Sequence, residues 1–217
     1  MFKSLRFVAW DSVFQDKRWP YKLGGLILLG CIPGLKVLAW VGYQQSIAGN
    51  IAHRQPIALP AWDDWADILV RGLIAVSASG LYWLPVGLFA LLGLFPVTRL
   101  AMLFAFIAAV GLGLALSVGH VRFACSDRPG TYDLSSWRDP GSKRRVPPNA
   151  YLLGFLAQTA VIALAVLLTP IALFTLIGPV IIWSSVSVIN GYIVGQIALR
   201  STARTSQIDK LRAARAS

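Results

Sequence analysis

Between Arg71 and Arg122 the one charged residue is Arg99, and between Arg145 and Arg200 there is none. Water does not tolerate such long uncharged stretches on a domain surface, whereas a bilayer accepts them. About 20 apolar residues cross the hydrocarbon core as a helix, and a helix satisfies its own backbone polar groups in lipid. The charge pattern therefore predicts an all-α integral membrane protein. With 56% of its 217 residues hydrophobic, the chain has apolar length for about four or five passes. It has no room for a large soluble domain, so 1–217 is expected to form one membrane domain.

Residues 1–20 read as an amphipathic helix lying in the interface. Phe2, Leu5, Ala9, Trp10, Val13 and Phe14 share one face, with Asp11, Gln15 and Arg18 opposite. The stretch contains Asp11 and lacks a small-residue cleavage site, so it does not read as a signal peptide. Residues 23–43 form an apolar segment interrupted by Ile32-Pro33-Gly34 and followed by Lys36. Proline removes a helix hydrogen bond and glycine favours a turn. This segment is either a re-entrant hairpin or a fifth membrane helix. Residues 44–61 look polar and turn-rich. The string LPAWDDWADILVRGL then leads into a span, with Trp62, Trp65, Leu69 and Leu73 on one helical face. Four spans are expected over 70–95, 100–118, 151–168 and 171–199. Turns are placed at Pro96–Arg99 and Thr169-Pro170, and an interruption at Gly178-Pro179. Residues 119–149 form the largest polar loop and 200–217 a basic tail.

Basic residues are concentrated in three places: five in residues 1–22, six in 119–149 and five in 200–217. Such residues prefer the cytoplasmic side, where they also meet anionic headgroups. If residues 23–43 re-enter, all three regions fall on one side and Arg99 on the other. Four spans plus the hairpin, with both termini cytoplasmic, is the favoured layout. A five-span form with its N-terminus outside is the alternative. No nucleic-acid-binding motif accompanies the basic residues, so nucleic acid is not an expected partner.

The first hundred residues resemble a known family. DKRWPYKL precedes GGLILLGCIPGL, then GYQQSIAGN and LPAWDDWADILVRGL. Gly42-Tyr43, Leu59-Pro60, Trp62-Asp63-Asp64-Trp65 and Gly72-Leu73 match the pattern of the bacterial and archaeal membrane family catalogued as domain of unknown function 4013. The similarity covers roughly residues 5–120. It implies a multi-spanning helical protein of a prokaryotic cytoplasmic (inner) membrane and supplies no activity. A later Gly191-Tyr192 after Gly178-Pro179 faintly echoes Pro33-Gly34 and Gly42-Tyr43.

Five residues stand out as candidate functional or interface positions: Lys36, Trp62, Asp63, Asp64 and Trp65. Asp63 and Asp64 are an acid pair, yet neighbouring helical residues point about 100° apart and do not converge as a catalytic dyad does. Their ordinary role is to complement a helix N-terminus, beside tryptophans that anchor at the interface. Lys36 reads as an anion-binding group, as a partner for one of these aspartates, or as a side chain snorkelling to the interface. Gln158 and Asn190 suit interhelical hydrogen bonds, and Gly111, Gly113 and Gly154 suit close helix packing. His53 and His120 are isolated. Cys31 and Cys125 lack CxxC spacing, so no metal or cofactor is expected. There is no G-x-S-x-G, P-loop or HExxH.

These features predict a non-catalytic accessory or scaffolding subunit of a larger membrane complex, with membrane lipids and other membrane subunits as partners. The alternative is a small transporter or lipid-handling protein. Its midplane site would lie at the broken helices, with Lys36 inside it.

Overall fold

The computed structural model describes residues 16–92, 99–126, 148–173, 175 and 177–216. The described residues are all-helical: α1 (Trp19–Gly30), α2 (Leu35–Ala52), a 3-10 turn (Trp62–Asp64), α3 (Trp65–Leu92), α4 (Arg99–Ser126), α5 (Pro148–Ala172) and α6 (Gly178–Ala216). Four stretches are long and apolar enough to span a membrane: Trp62–Leu84, Leu103–Ser126, Tyr151–Ala172 and Gly178–Arg200. The interfacial helix expected over 1–20 lies outside the described residues as far as residue 15, and the 119–149 loop does so over 127–147.

The interrupted apolar segment folds back on itself. Pro20 starts α1 at a position where its missing N–H costs nothing. The helix ends at Cys31, and Gly34 adopts φ 88° before α2 begins. That backbone region is open to glycine at little cost. Leu26 of α1 then packs with Ala39 and Tyr43 of α2 in one core cluster, and Gly30 lies beside the Trp40 indole. The two helices are antiparallel, with residues 31–34 at the tip.

Helix α2 continues well past Tyr43, where the polar composition predicts its end. Gln45, Ser46, Ala48, Gly49, Ile51 and Ala52 are helical and buried. Small residues let neighbouring backbones approach closely, which is what drives helix association in lipid. The helix closes with a Schellman motif: Arg54 N–H bonds to Ile51 O (3.0 Å) and Gln55 N–H to Asn50 O (2.8 Å). Arg54 takes the left-handed conformation, φ 57°, that glycine more often supplies.

The other helices pack around α2. A Cβ on Gly42 would fall on the Ile68 carbonyl oxygen, and one on Gly72 on the Leu38 carbonyl oxygen, so α3 runs antiparallel to α2 with backbones touching. Helix α6 runs parallel to α2. Trp183 stacks on Trp40 at 6.2 Å between centroids, Gly191 lies against Gln44 O, and Gly195 against Ile51. The faint echo between Gly42-Tyr43 and Gly191-Tyr192 thus falls on two adjacent, parallel helices. Hydrogen bonds tie the bundle further. The Gln45 amide meets His120 Nδ1 of α4, Ser117 Oγ donates to Gln158 Oε1 of α5 at 3.3 Å, and Trp40 Nε1 donates to Ser184 Oγ at 3.1 Å. Gly113 lies under the Phe155 ring and Gly154 against Ile197, whereas Gly111 faces open space.

Two turns differ from their sequence reading. Pro170 sits inside α5 and the chain turns after it, around residues 173–177. The loss of one N–H is tolerated in the last helical turn because Leu173 N–H still reaches Thr169 O (3.0 Å). Gly178-Pro179 starts α6 and does not interrupt it, in keeping with proline's preference for the first helical turn. Helix α4 also extends past Val118 to Ser126.

Helix ends sort the charges. Ala52, Cys125 and Ala198 share a cluster against which Tyr151 packs. The end of α2, the end of α4, the start of α5 and the point where α6 leaves its apolar stretch therefore meet at one end of the bundle. Lys17 and Arg18 before α1, Arg122 in α4 and Arg200 in α6 lie there. The hairpin tip and the start of α6 lie at the other end, where Gly30 meets Val180. Around the sides, Leu84, Leu88, Phe104, Phe106, Leu164 and Leu167 are among many exposed apolar side chains. Such a surface suits lipid or another membrane protein.

Candidate functional site

Residues from the DKRWPYKL, GYQQSIAGN and LPAWDDW strings converge toward the basic end of the bundle. Asp16 begins the arrangement: its Oδ1 accepts from Arg18 N–H at 2.9 Å, a local turn typical of aspartate. Its Oδ2 pairs with Lys22 Nζ at 2.7 Å, both side chains being buried. Lys22 Nζ also donates to Leu59 O at 2.7 Å, which ties α1 to the connection following α2. Trp62 then folds over α1: its Nε1 donates to Lys22 O at 2.7 Å, and its ring covers Gly25. The same ring stacks on Tyr43 at 5.4 Å and 20°. Asp16, Lys22, Tyr43, Leu59 and Trp62 thus form a latch that closes the mouth of the α1–α2 hairpin.

The rest of the WDDW string faces away. Asp63, Asp64 and Trp65 are exposed at the N-terminus of α3, where aspartates complement the helix dipole. The two aspartates line a surface cleft of about 270 Å³. Its other walls carry Asn50 and His53 from the end of α2, with Asp67 and Arg71 from α3. Arg71 Nε bonds to Asp67 Oδ2 at 2.6 Å, so one of the three carboxylates is matched within the cleft. His53 Nδ1 lies 2.8 Å from Gly49 O. A carbonyl oxygen accepts but never donates, so Nδ1 is the donor in that contact. Among the described residues no three His, Cys, Asp or Glu side chains are placed to hold a metal ion.

Lys36 is exposed in the first turn of α2, next to the hairpin tip. The WDDW aspartates lie at the opposite end of that helix, so the pairing considered from sequence does not occur. His120 is tied to Gln45, and Gln158 takes its expected interhelical hydrogen bond.

Lys22, Asp16 and Tyr43 escaped sequence reasoning because a lysine beside a span and a tyrosine after a Gly look like interfacial residues. The available signal was their membership in the motif strings. A second missed feature is Gly191-xxx-Gly195, a small-residue spacing diagnostic of helix contact.

The two tryptophans of the string should respond differently to truncation. Trp62→Ala removes the stack and the bond to Lys22 O and should cost about 2–3 kcal/mol, a partly buried version of a large-to-small deletion. Trp65→Ala should stay within about 0.5 kcal/mol, as surface changes do. Unfolding in mixed SDS micelles followed by fluorescence checks both; equal effects would refute the latch.

No family model, no curated protein and no solved structure matches the chain.

Proposed function

We propose that this chain is a non-catalytic polytopic membrane protein that acts as an accessory or scaffolding subunit beside larger membrane partners. It sits in the cytoplasmic (inner) membrane of a prokaryote with both termini inside. Its basic end meets anionic headgroups, and the hairpin of α1 and α2 re-enters from that same side. The observation that supports this most is the contrast between centre and periphery. Helix α2 is sealed by backbone contacts at Gly42 and Gly191, while α3, α4 and α5 turn broad apolar faces outward. The presence of Lys17, Arg18, Arg122 and Arg200 at one end supports the orientation. Of the residues that suggest the family, Tyr43, Leu59 and Trp62 meet at the latch and Gly42 and Gly72 in the contact of α2 with α3.

The transporter reading drew on two broken helices and an intramembrane lysine. Gly178-Pro179 begins a helix and Lys36 is exposed at a hairpin tip, so these features argue for it less than the sequence suggested.

The test is purification of the tagged protein from native membranes in mild detergent. A membrane partner should be retained at fixed stoichiometry, and Lys36→Ala should leave it bound. Recovery of the protein with lipid alone, together with solute flux in liposomes that Lys36→Ala abolishes, would overturn the proposal. In intact cells, an impermeant thiol reagent should fail to reach a cysteine engineered in 119–149. Labelling there would reverse the orientation.

A further inference from the structure

A groove of about 320 Å³ runs between α1 and α6. Leu23 and Ile27 form one wall, and Ile181, Val188 and Ile189 the other, with Trp19 and Pro20 at the mouth. The two serines beside it do not make it polar. Ser184 Oγ is engaged by Trp40 Nε1, and Ser185 Oγ donates back to Ile181 O at 2.9 Å. The floor is open at Gly24, where an added Cβ would have nothing within 4 Å. From Trp19 to Ile27 a helix rises about 12 Å, close to the depth of one leaflet, about 15 Å. Lys17 and Arg18, both exposed, immediately precede the mouth.

We propose that this groove holds one acyl chain of an anionic phospholipid, with the phosphate at Lys17 and Arg18. Apolar walls suit a hydrocarbon chain. Two exposed cations at the end nearest the headgroup layer select an anionic lipid over a zwitterionic one, and Trp19 and Tyr21 sit where interfacial aromatics belong. The site needs no protein partner, and it rests on the proposed placement of the basic end at the headgroup layer.

The experiment is native mass spectrometry of the full chain in detergent, with dioleoyl phosphatidylglycerol or dioleoyl phosphatidylcholine added. Wild-type protein should retain one phosphatidylglycerol about tenfold more strongly than phosphatidylcholine. Gly24→Leu puts an apolar side chain at the floor, where its Cβ meets nothing within 4 Å, and should weaken that single adduct about tenfold while leaving the unfolding midpoint unchanged or raised. Lys17→Ala with Arg18→Ala should erase the headgroup preference. Equal retention by wild type and Gly24→Leu would overturn the proposal. So would a groove that takes lipid only after residues 2–15 are deleted, because those residues would then be its occupant.

Discussion

Lys22→Met will destabilise the bundle by about 3 kcal/mol or more, because removing one partner of a buried ion pair strands the other. Asp16 would keep its bond from Arg18 N–H but lose its cation, and Leu59 O would lose its donor. Asp16→Asn combined with Lys22→Met should recover much of the loss, since the stranded charge is gone. That recovery is the coupling a double-mutant cycle reads. Lys36→Met, at an exposed position far from the latch, serves as the control. The same pair sets an acid limit. Burial by itself would raise the Asp16 carboxyl. The Lys22 hydrogen bond, the Arg18 backbone N–H and the charges of Lys22 and Arg18 outweigh burial and hold it below its ordinary value. A carboxyl lowered in the folded state adds stability above its unfolded value, about 3.9, and loses it as pH falls through the folded one. The midpoint difference between wild type and Asp16→Asn should therefore be constant from neutral pH down to about 5 and shrink below about 4. A wild-type midpoint in Lys22→Met would show that the latch does not hold the hairpin.

Gly42→Val should be at least as damaging, at about 3 kcal/mol or more, the upper end of what overpacking costs. The added carbon meets the Ile68 carbonyl, which is backbone and cannot swing aside as a side chain can. Helices α2 and α3 must separate, and with them the packing of Ala39, Tyr43 and Ile68 in the main core cluster. Gly72→Val presses on the same contact from the other side and should match it. Gly80→Ala is the informative counterpart: it sits on α3 with open space around the new carbon. It should be neutral or stabilising by up to about 1 kcal/mol, the helix-propensity gain of alanine. SDS unfolding of the three variants tests the set. A Gly42→Val protein as stable as Gly80→Ala would mean that the backbones do not touch there.

Residues whose role is local were legible one by one. Pro33-Gly34 signalled an interruption, with a hairpin or a fifth span left open, and the apolar runs signalled four spans, because lipid imposes length and uncharged composition on each segment separately. Residues 44–52 were misjudged because their glutamines, serine and asparagine resemble a loop, while His120 and the backbones of α3 and α6 give them an interior. Pro170 and Gly178-Pro179 were each read as a break at the wrong point. Either proline is compatible with a turn beside it, and neighbouring hydrogen bonds decide on which side the turn falls. Within Trp62-Asp63-Asp64-Trp65 the string itself treats both tryptophans alike. The stack on Tyr43 separates them, and it depends on a residue nineteen positions earlier.

By itself, then, the order of amino acids determined that the described residues are helical and that four helices are long and apolar enough to cross a bilayer, since charge and apolar length act segment by segment. It also placed the cations in three clusters. Bringing Lys17, Arg18, Arg122 and Arg200 to one end, burying Lys22 against Asp16 and making α2 the axis of the bundle were decided by tertiary structure. The physical reason is that each depends on which distant surfaces meet, and a contact between Gly42 and Ile68 or between Lys22 and Leu59 exists only once the helices have been brought together.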